Sequence, residues 1–185
     1  MADPAPTESI HGPGFDGVIF SPDRVREDIS PGFGDQMMWR PTRQMVRAAE
    51  KALPAAIRQW TSISAPTKGP NFPTASPSKT GTNLKFTSAW HDTRPDSVII
   101  HHDFLNEVEP ELANFKRQYV GIFADGRKVI YINFIYGGVI RSDAKLRDSW
   151  RKHWVAALDG GDNFWSVTYD PETGWFASLS SNSDK

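Results

Sequence analysis

The sequence predicts an α+β fold in which an N-terminal helix packs on a C-terminal antiparallel β-meander of about four or five strands. Three observations predict it. An apolar stripe of helical period runs through residues 41–60, and two hairpin signals stand in the last third of the chain. No strand–helix–strand alternation asks for a parallel sheet.

In chain order, residues 1–40 are rich in Pro and Gly without sustained periodicity. They predict an extended N-terminal arm, with one short strand at Gly17-Val18-Ile19-Phe20, ordered by docking. Residues 41–185 are expected to form a single domain. Pro41 suits a first helical turn, and Met45, Val46, Ala49, Ala52, Leu53, Ala56, Ile57 and Trp60 line one side. Arg43, Arg47, Glu50, Lys51 and Arg58 are assigned to the wet side. Pro54 lies inside this pattern and removes a backbone donor, which predicts two helical pieces or one bent helix.

Residues 61–83 are dominated by Ser, Thr, Pro, Gly and Lys, and read as a flexible loop. Leu84 to Trp90 and Val98-Ile99-Ile100 read as short strands. Leu105, Val108, Leu112 and Phe115 fall at helical spacing, with Pro110 limiting the length of that helix.

The first hairpin joins Arg117 to Ala124 with Arg127 to Tyr136 across Asp125-Gly126, the strongest short hairpin signal. A two-residue loop sets Phe123 opposite Lys128, Gly121 opposite Ile130, Tyr119 opposite Ile132 and Gln118 opposite Asn133. One face then holds Tyr119, Phe123, Ile130, Ile132 and Phe134; the other holds Val120, Ile122, Val129 and Tyr131. A sheet wetted on one side would alternate apolar with polar residues, and this hairpin does not, so both faces need cover. The helix at 41–60 covers one. The N-terminal arm, the 61–83 loop or a second subunit is left to cover the other, which makes a protein partner or a homodimer the expected use of that face. Gly121 among bulky residues predicts a bulge or a close helix approach.

After Gly137-Gly138 comes a charged connection, 141–152, then a third strand at His153 to Leu158 and a turn at Asp159-Gly160-Gly161-Asp162. The second hairpin runs from Phe164 to Tyr169, turns through Asp170 to Gly174, and returns along Trp175 to Leu179; Pro171 presets φ and Gly174 supplies a positive one. Trp165 shares a face with Val167 and Tyr169 and reads as core. The short basic runs Lys116-Arg117, Arg127-Lys128 and Arg151-Lys152-His153 read as solvated strand ends.

Arg117-Gln118-Tyr119-Val120-Gly121-Ile122, Asp125-Gly126-Arg127, Ile130-Tyr131-Ile132-Asn133, Asp159-Gly160-Gly161-Asp162-Asn163-Phe164-Trp165, Tyr169-Asp170 and Thr173-Gly174 together resemble a set of uncharacterised bacterial proteins. The resemblance covers about the last third of the chain. It implies a recurring domain and carries no catalytic residue with it. A helix followed by a meandering sheet is also similar in general shape to cystatin-like and nuclear-transport-factor-like folds, which host binders and enzymes alike.

Composition bounds the function classes. A chain of 185 residues with 38% hydrophobic content supports one domain with a core. With 21 basic against 22 acidic residues the net charge is -1, so no global field recruits nucleic acid or an anionic membrane. The lack of cysteine excludes disulfides, thiolate metal sites and a cysteine nucleophile. The start of the chain has no basic and apolar leader pattern, and no apolar run approaches spanning length. A soluble chain is expected, cytoplasmic or exported, with any signal peptide absent from it. No cofactor is expected.

Candidate chemistry is sparse. Gly12-Pro13-Gly14-Phe15-Asp16-Gly17 matches G-x-G-x-x-G, but no strand is predicted before it and Ser21-Pro22 stands where a helix should open. His91-Asp92 and His101-His102-Asp103 form the densest polar cluster. These residue types suit acid–base work by His91, His102 and Asp103, or a divalent metal held by His91, by His101 or His102, and by Asp103. Adjacent strand histidines point to opposite faces, and hydrogen-bonded histidines at a strand end are the plainer account. Asp159 and Asp162 could grip a polar ligand across their turn, although turn chemistry alone explains them. Seven tryptophans are many for this length; Trp154 and Trp175, with Trp150, are candidates to stack on a sugar or a partner, against a plainer role in the core. The function expected is non-catalytic binding of a protein or small ligand. The alternatives are a metal-dependent or acid–base hydrolase using the His91 to Asp103 cluster, and a carbohydrate-binding module.

Overall fold

The computed structural model describes residues 6–28, 37–62, 107–124, 126–156 and 160–182. Its centre is the first hairpin, β4 (Phe115–Ala124) and β5 (Arg127–Tyr136), with the expected register: Phe123 faces Lys128, Tyr119 faces Ile132 and Gln118 faces Asn133. Gly126 has φ +76°, the left-handed backbone that a tight hairpin turn requires. β6 (Gly161–Asp170) pairs antiparallel with β5, and β7 (Trp175–Asn182) with β6. The turn between β6 and β7 is tied by Asp170 Oδ1, which accepts from the Glu172 and Thr173 amides at 2.8 and 3.2 Å.

The fold class is α+β, but the sheet is larger than expected and mixed. The stretch read as an extended arm supplies β1 (Thr7–Gly12), β2 (Phe15–Phe20) and helix α1 (Pro22–Asp28). The strand foreseen at 17–20 is thus half of an N-terminal hairpin. β2 runs parallel to β4, pairing Asp16 with Lys116 through Ile19 with Tyr119. β3 (Met38–Trp39) pairs antiparallel farther along the same edge of β4. The strand order is β1-β2-β4-β5-β6-β7, with β3 beside β4. Gly12 to Gly17 is the turn of that first hairpin. A strand does precede the Gly-rich stretch, contrary to expectation, and a strand rather than a helix follows it.

Helix α2 (Arg43–Ser62) is continuous, with Pro54 inside it. Val46, Ala49, Leu53 and Ile57 are fully buried against Tyr119, Ile130, Ile132, Phe134, Trp165, Val167 and Tyr169 on one face of the sheet. The helical signal before β4 is a helical turn at 107–111 followed by a single 3-10 turn, Leu112–Asn114, so Phe115 opens the strand rather than closing a helix.

The opposite face is covered by the chain itself. Val25 of α1, Ile140 and Trp150 pack with Val18, Phe20, Val120, Ile122, Val129, Ile135 and Phe164. The connection after Tyr136 holds two short helices, Gly137–Ser142 and Ala144–Ser149, the second capped by Asp143, whose Oδ1 accepts from the Leu146 amide at 3.0 Å. The segment that follows corrects the predicted third strand: residues 153–156 are irregular. Their backbone is satisfied by side chains instead of a ladder. Gln118 Nε2 donates to the Trp150 and His153 carbonyls, each at 2.7 Å, and Gln118 Oε1 accepts from the Val155 amide at 2.9 Å. Asn133 Nδ2 donates to the Val155 carbonyl at 2.8 Å and to Gln118 Oε1 at 3.1 Å. Facing amides on β4 and β5 therefore clamp 150–155 onto the sheet.

The same face carries two carboxylate ties. Asp16 gathers His11, Lys116 and Arg151 at 2.8, 3.0 and 2.8 Å. Asp28, at the end of α1, accepts from the Trp154 amide at 2.7 Å and pairs with His153 at 2.9 Å. Burial raises the Asp16 pKa, but the hydrogen bonds and charges of Lys116 and Arg151 outweigh it and leave the carboxyl below its usual range. Gly121 is the site of a close approach, by a side chain rather than a helix: a Cβ there would meet the Trp39 ring at 2.3 Å. The indole lies across β4 and its Nε1 donates to the Ile122 carbonyl at 3.2 Å.

Candidate functional site

Two charged residues assigned to the wet side lie in the core, under α2. Arg117 is buried, contrary to its reading as a solvated strand end, and so is Glu50. Their positions follow from periodicity. Glu50 stands four residues after Val46, three before Leu53 and seven before Ile57, on the apolar stripe itself. Arg117 alternates with Phe115 and Tyr119 and so shares their inward face.

Tyr119 Oη donates to Glu50 Oε1 at 2.8 Å, and Arg117 Nε lies 3.3 Å from the same oxygen. That second contact is an ion pair off the hydrogen-bond line, since Nε is buried without a hydrogen-bond partner. Arg117 turns Nη1 to the Phe115 carbonyl at 2.7 Å and Nη2 to the Leu112 carbonyl at 3.0 Å, closing the 3-10 turn onto β4. Its guanidinium lies 5.4 Å from the centre of the Phe134 ring and 5.9 Å from that of Phe15. Burial lifts the Glu50 carboxyl above its usual range, and the opposing pull of Arg117 and the Tyr119 hydroxyl does not fully offset it. Burial, followed by the neighbouring Glu50 charge, pushes the Tyr119 hydroxyl well up.

Glu50 and Arg117 form the floor of a cleft of about 250 Å³. One wall is Pro13 and Gly14 from the β1–β2 turn, and Pro54 of α2 forms another; Leu112 and Ala113 close the side below β4. Arg58 and Glu109 line the cleft as well and pair at 3.4 Å. Apolar surface beside four charged side chains, one of them a shifted carboxyl, makes this hollow the candidate site.

None of the sequence-nominated residues that the structure describes lines this cleft. His91, His101, His102 and Asp103 fall outside the described residues, as do Asp159 and the strands expected at 84–90 and 98–100; of the loop expected at 61–83, Thr61 and Ser62 instead end α2 and the rest lies outside the described residues. Asp162 is exposed and lines a smaller hollow of about 160 Å³ that it shares with Glu107, Glu111 and Tyr136. Trp150 is buried. Trp154 is half-buried, edge-on to Phe20 at 5.6 Å and tilted on Tyr131 at 5.9 Å. Trp175 is 63% exposed beside the β6–β7 turn. Among the described residues no group of three or more His, Cys, Asp or Glu side chains is arranged to hold a metal ion, and no helix is long and apolar enough to cross a membrane. Comparison with protein-family models, with curated proteins and with solved structures returns no match.

Proposed function

We propose that the chain is a non-catalytic binding domain that takes a small ligand in the cleft above Glu50 and Arg117. The observation that carries this reading is a buried, charge-paired floor at the base of an open hollow of about 250 Å³. Two buried charges are costly to keep where apolar residues would pack, and a site that must present polar groups to a visitor accounts for them. The reading is non-catalytic because, among the described residues, the titratable groups lining the cleft are two glutamates and two arginines, with no nucleophile–base pair beside them. A long helix on an antiparallel meander supports a general shape of the cystatin or nuclear-transport-factor kind. Such shapes serve many functions, so the reading rests on the cleft.

Ala113 tests it. It is exposed at the cleft wall, so Ala113→Trp fills the hollow without disturbing the core. Fragments found by ligand-observed NMR with the unmodified protein should lose their signal with Ala113→Trp, while the urea midpoint stays within about 0.5 kcal/mol of the parent. Fragments that bind both proteins equally would place recognition elsewhere. A second reading, carbohydrate binding, draws on the exposed Trp175 ring; quenching of its fluorescence by one member of a glycan panel, lost in Trp175→Ala, would favour it.

A further inference from the structure

We infer that the ligand of this cleft is an uncharged molecule that presents at least two hydrogen-bond donors, such as a primary amide or a urea, to Glu50. The inference rests on the cleft reading and asks which chemistry its floor accepts. Arg117 keeps 1% exposure and directs Nη1 and Nη2 to the carbonyls of Phe115 and Leu112, whereas Glu50 keeps 5% and lines the hollow. The floor therefore meets a visitor with a carboxylate more readily than with the guanidinium.

Pro54 adds a second acceptor. In an α-helix the carbonyl of residue 50 receives the amide of residue 54, and proline has none. The main-chain carbonyl of Glu50 is deprived of its regular partner one turn from Pro54, and both residues line the cleft. One residue of the lining thus carries two acceptors, one in its side chain and one in its backbone. The charges decide against an ion. Glu50 and Glu109 are balanced by Arg117 and Arg58, so the described lining has no net charge with which to hold a cation or an anion. Apolar surface from Pro13, Pro54 and Leu112 suits a short hydrocarbon body behind the donor group.

The test is a titration with N-propylurea, propionamide, propionate and propylammonium, followed through the backbone amide resonances of Gly14, Arg58 and Ala113. Propylurea and propionamide should shift these resonances at millimolar concentration, and the two ions should not. Pro54→Ala restores the helical donor and occupies the Glu50 carbonyl. It should weaken propylurea about threefold to tenfold, the worth of one hydrogen bond. Because this change removes a helix-breaking residue, loss of binding cannot be blamed on unfolding. Binding by propionate or propylammonium alone, or full propylurea affinity in Pro54→Ala, would overturn the donor inference and leave the cleft reading standing. Silence from all four probes, with fragments still lost in Ala113→Trp, would also overturn the donor inference alone. Silence together with fragments indifferent to Ala113→Trp would remove both.

Discussion

Both faces of the central hairpin carry apolar runs in sequence, and they are covered by opposite means. On one face a long helix satisfies its own backbone except at Pro54, so the sheet below needs only to be complementary in shape; its buried polar group, Glu50 with Arg117 and Tyr119, is surplus to that need. On the other face the cover is short helices and irregular chain, tied down by polar side chains: Gln118 and Asn133 hold 150–155, Asp28 holds the Trp154 amide, and Asp16 holds Arg151. The contrast separates polarity that builds the fold from polarity that the fold carries at some cost. That is why the candidate site lies under α2 and not on the more polar face.

The largest expected effect breaks the first face. Arg117→Met removes the charge paired with Glu50 and frees the carbonyls of Leu112 and Phe115, so it should cost about 3–5 kcal/mol by urea denaturation. Adding Glu50→Leu should recover most of the loss, because two apolar side chains leave no buried charge behind. A single substitution that costs under about 1 kcal/mol would mean that the pair is not enclosed as described.

The second face answers more locally. Gln118→Leu leaves the Trp150 and His153 carbonyls and the Val155 amide without their side-chain partner, a loss of about 2–3 kcal/mol. Native-state hydrogen exchange should show a faster Val155 amide while the amides of α2 keep their protection. Equal acceleration in both would show that the two covers unfold as one unit, and the comparison between faces would lose its meaning.

Much of this was legible in the sequence. The register of β4 and β5 follows from a two-residue Asp-Gly loop, and the demand for two covers follows from the register. The nature of the second cover does not, because 150–156 is held by Gln118 and Asn133, residues more than fifteen positions away along the chain from most of what they bind. A ladder can be read from local alternation; a loop pinned by side chains cannot. The parallel pairing of β2 with β4 is hidden for a related reason, since nearly a hundred residues separate strands that touch. Glu50 and Arg117 were within reach: the same periodicity that placed Leu53 and Tyr119 inward places them inward too, and charge alone argued otherwise.

The smallest effect sharpens the comparison most, because the two faces should respond to pH with opposite sign. Asp16 has a folded pKa below its ordinary 3.8, so its stabilising contribution is present above 3.8 and is lost as pH falls through the lowered value. Glu50 has a folded pKa above its ordinary 4.5, so its contribution is fully present below 4.5 and is lost as pH rises through the raised value. Urea midpoints measured across this range should therefore lose part of their acid-side decline in Asp16→Asn, and part of any decline above 4.5 in Glu50→Gln. The baseline will differ between variants, since Glu50→Gln leaves Arg117 with a neutral neighbour, but the slope is the diagnostic and is independent of that offset. Two variants that flatten the same limb would show that both carboxyls sit in like surroundings, and the division between a face that uses its acid and a face that bears one would fail.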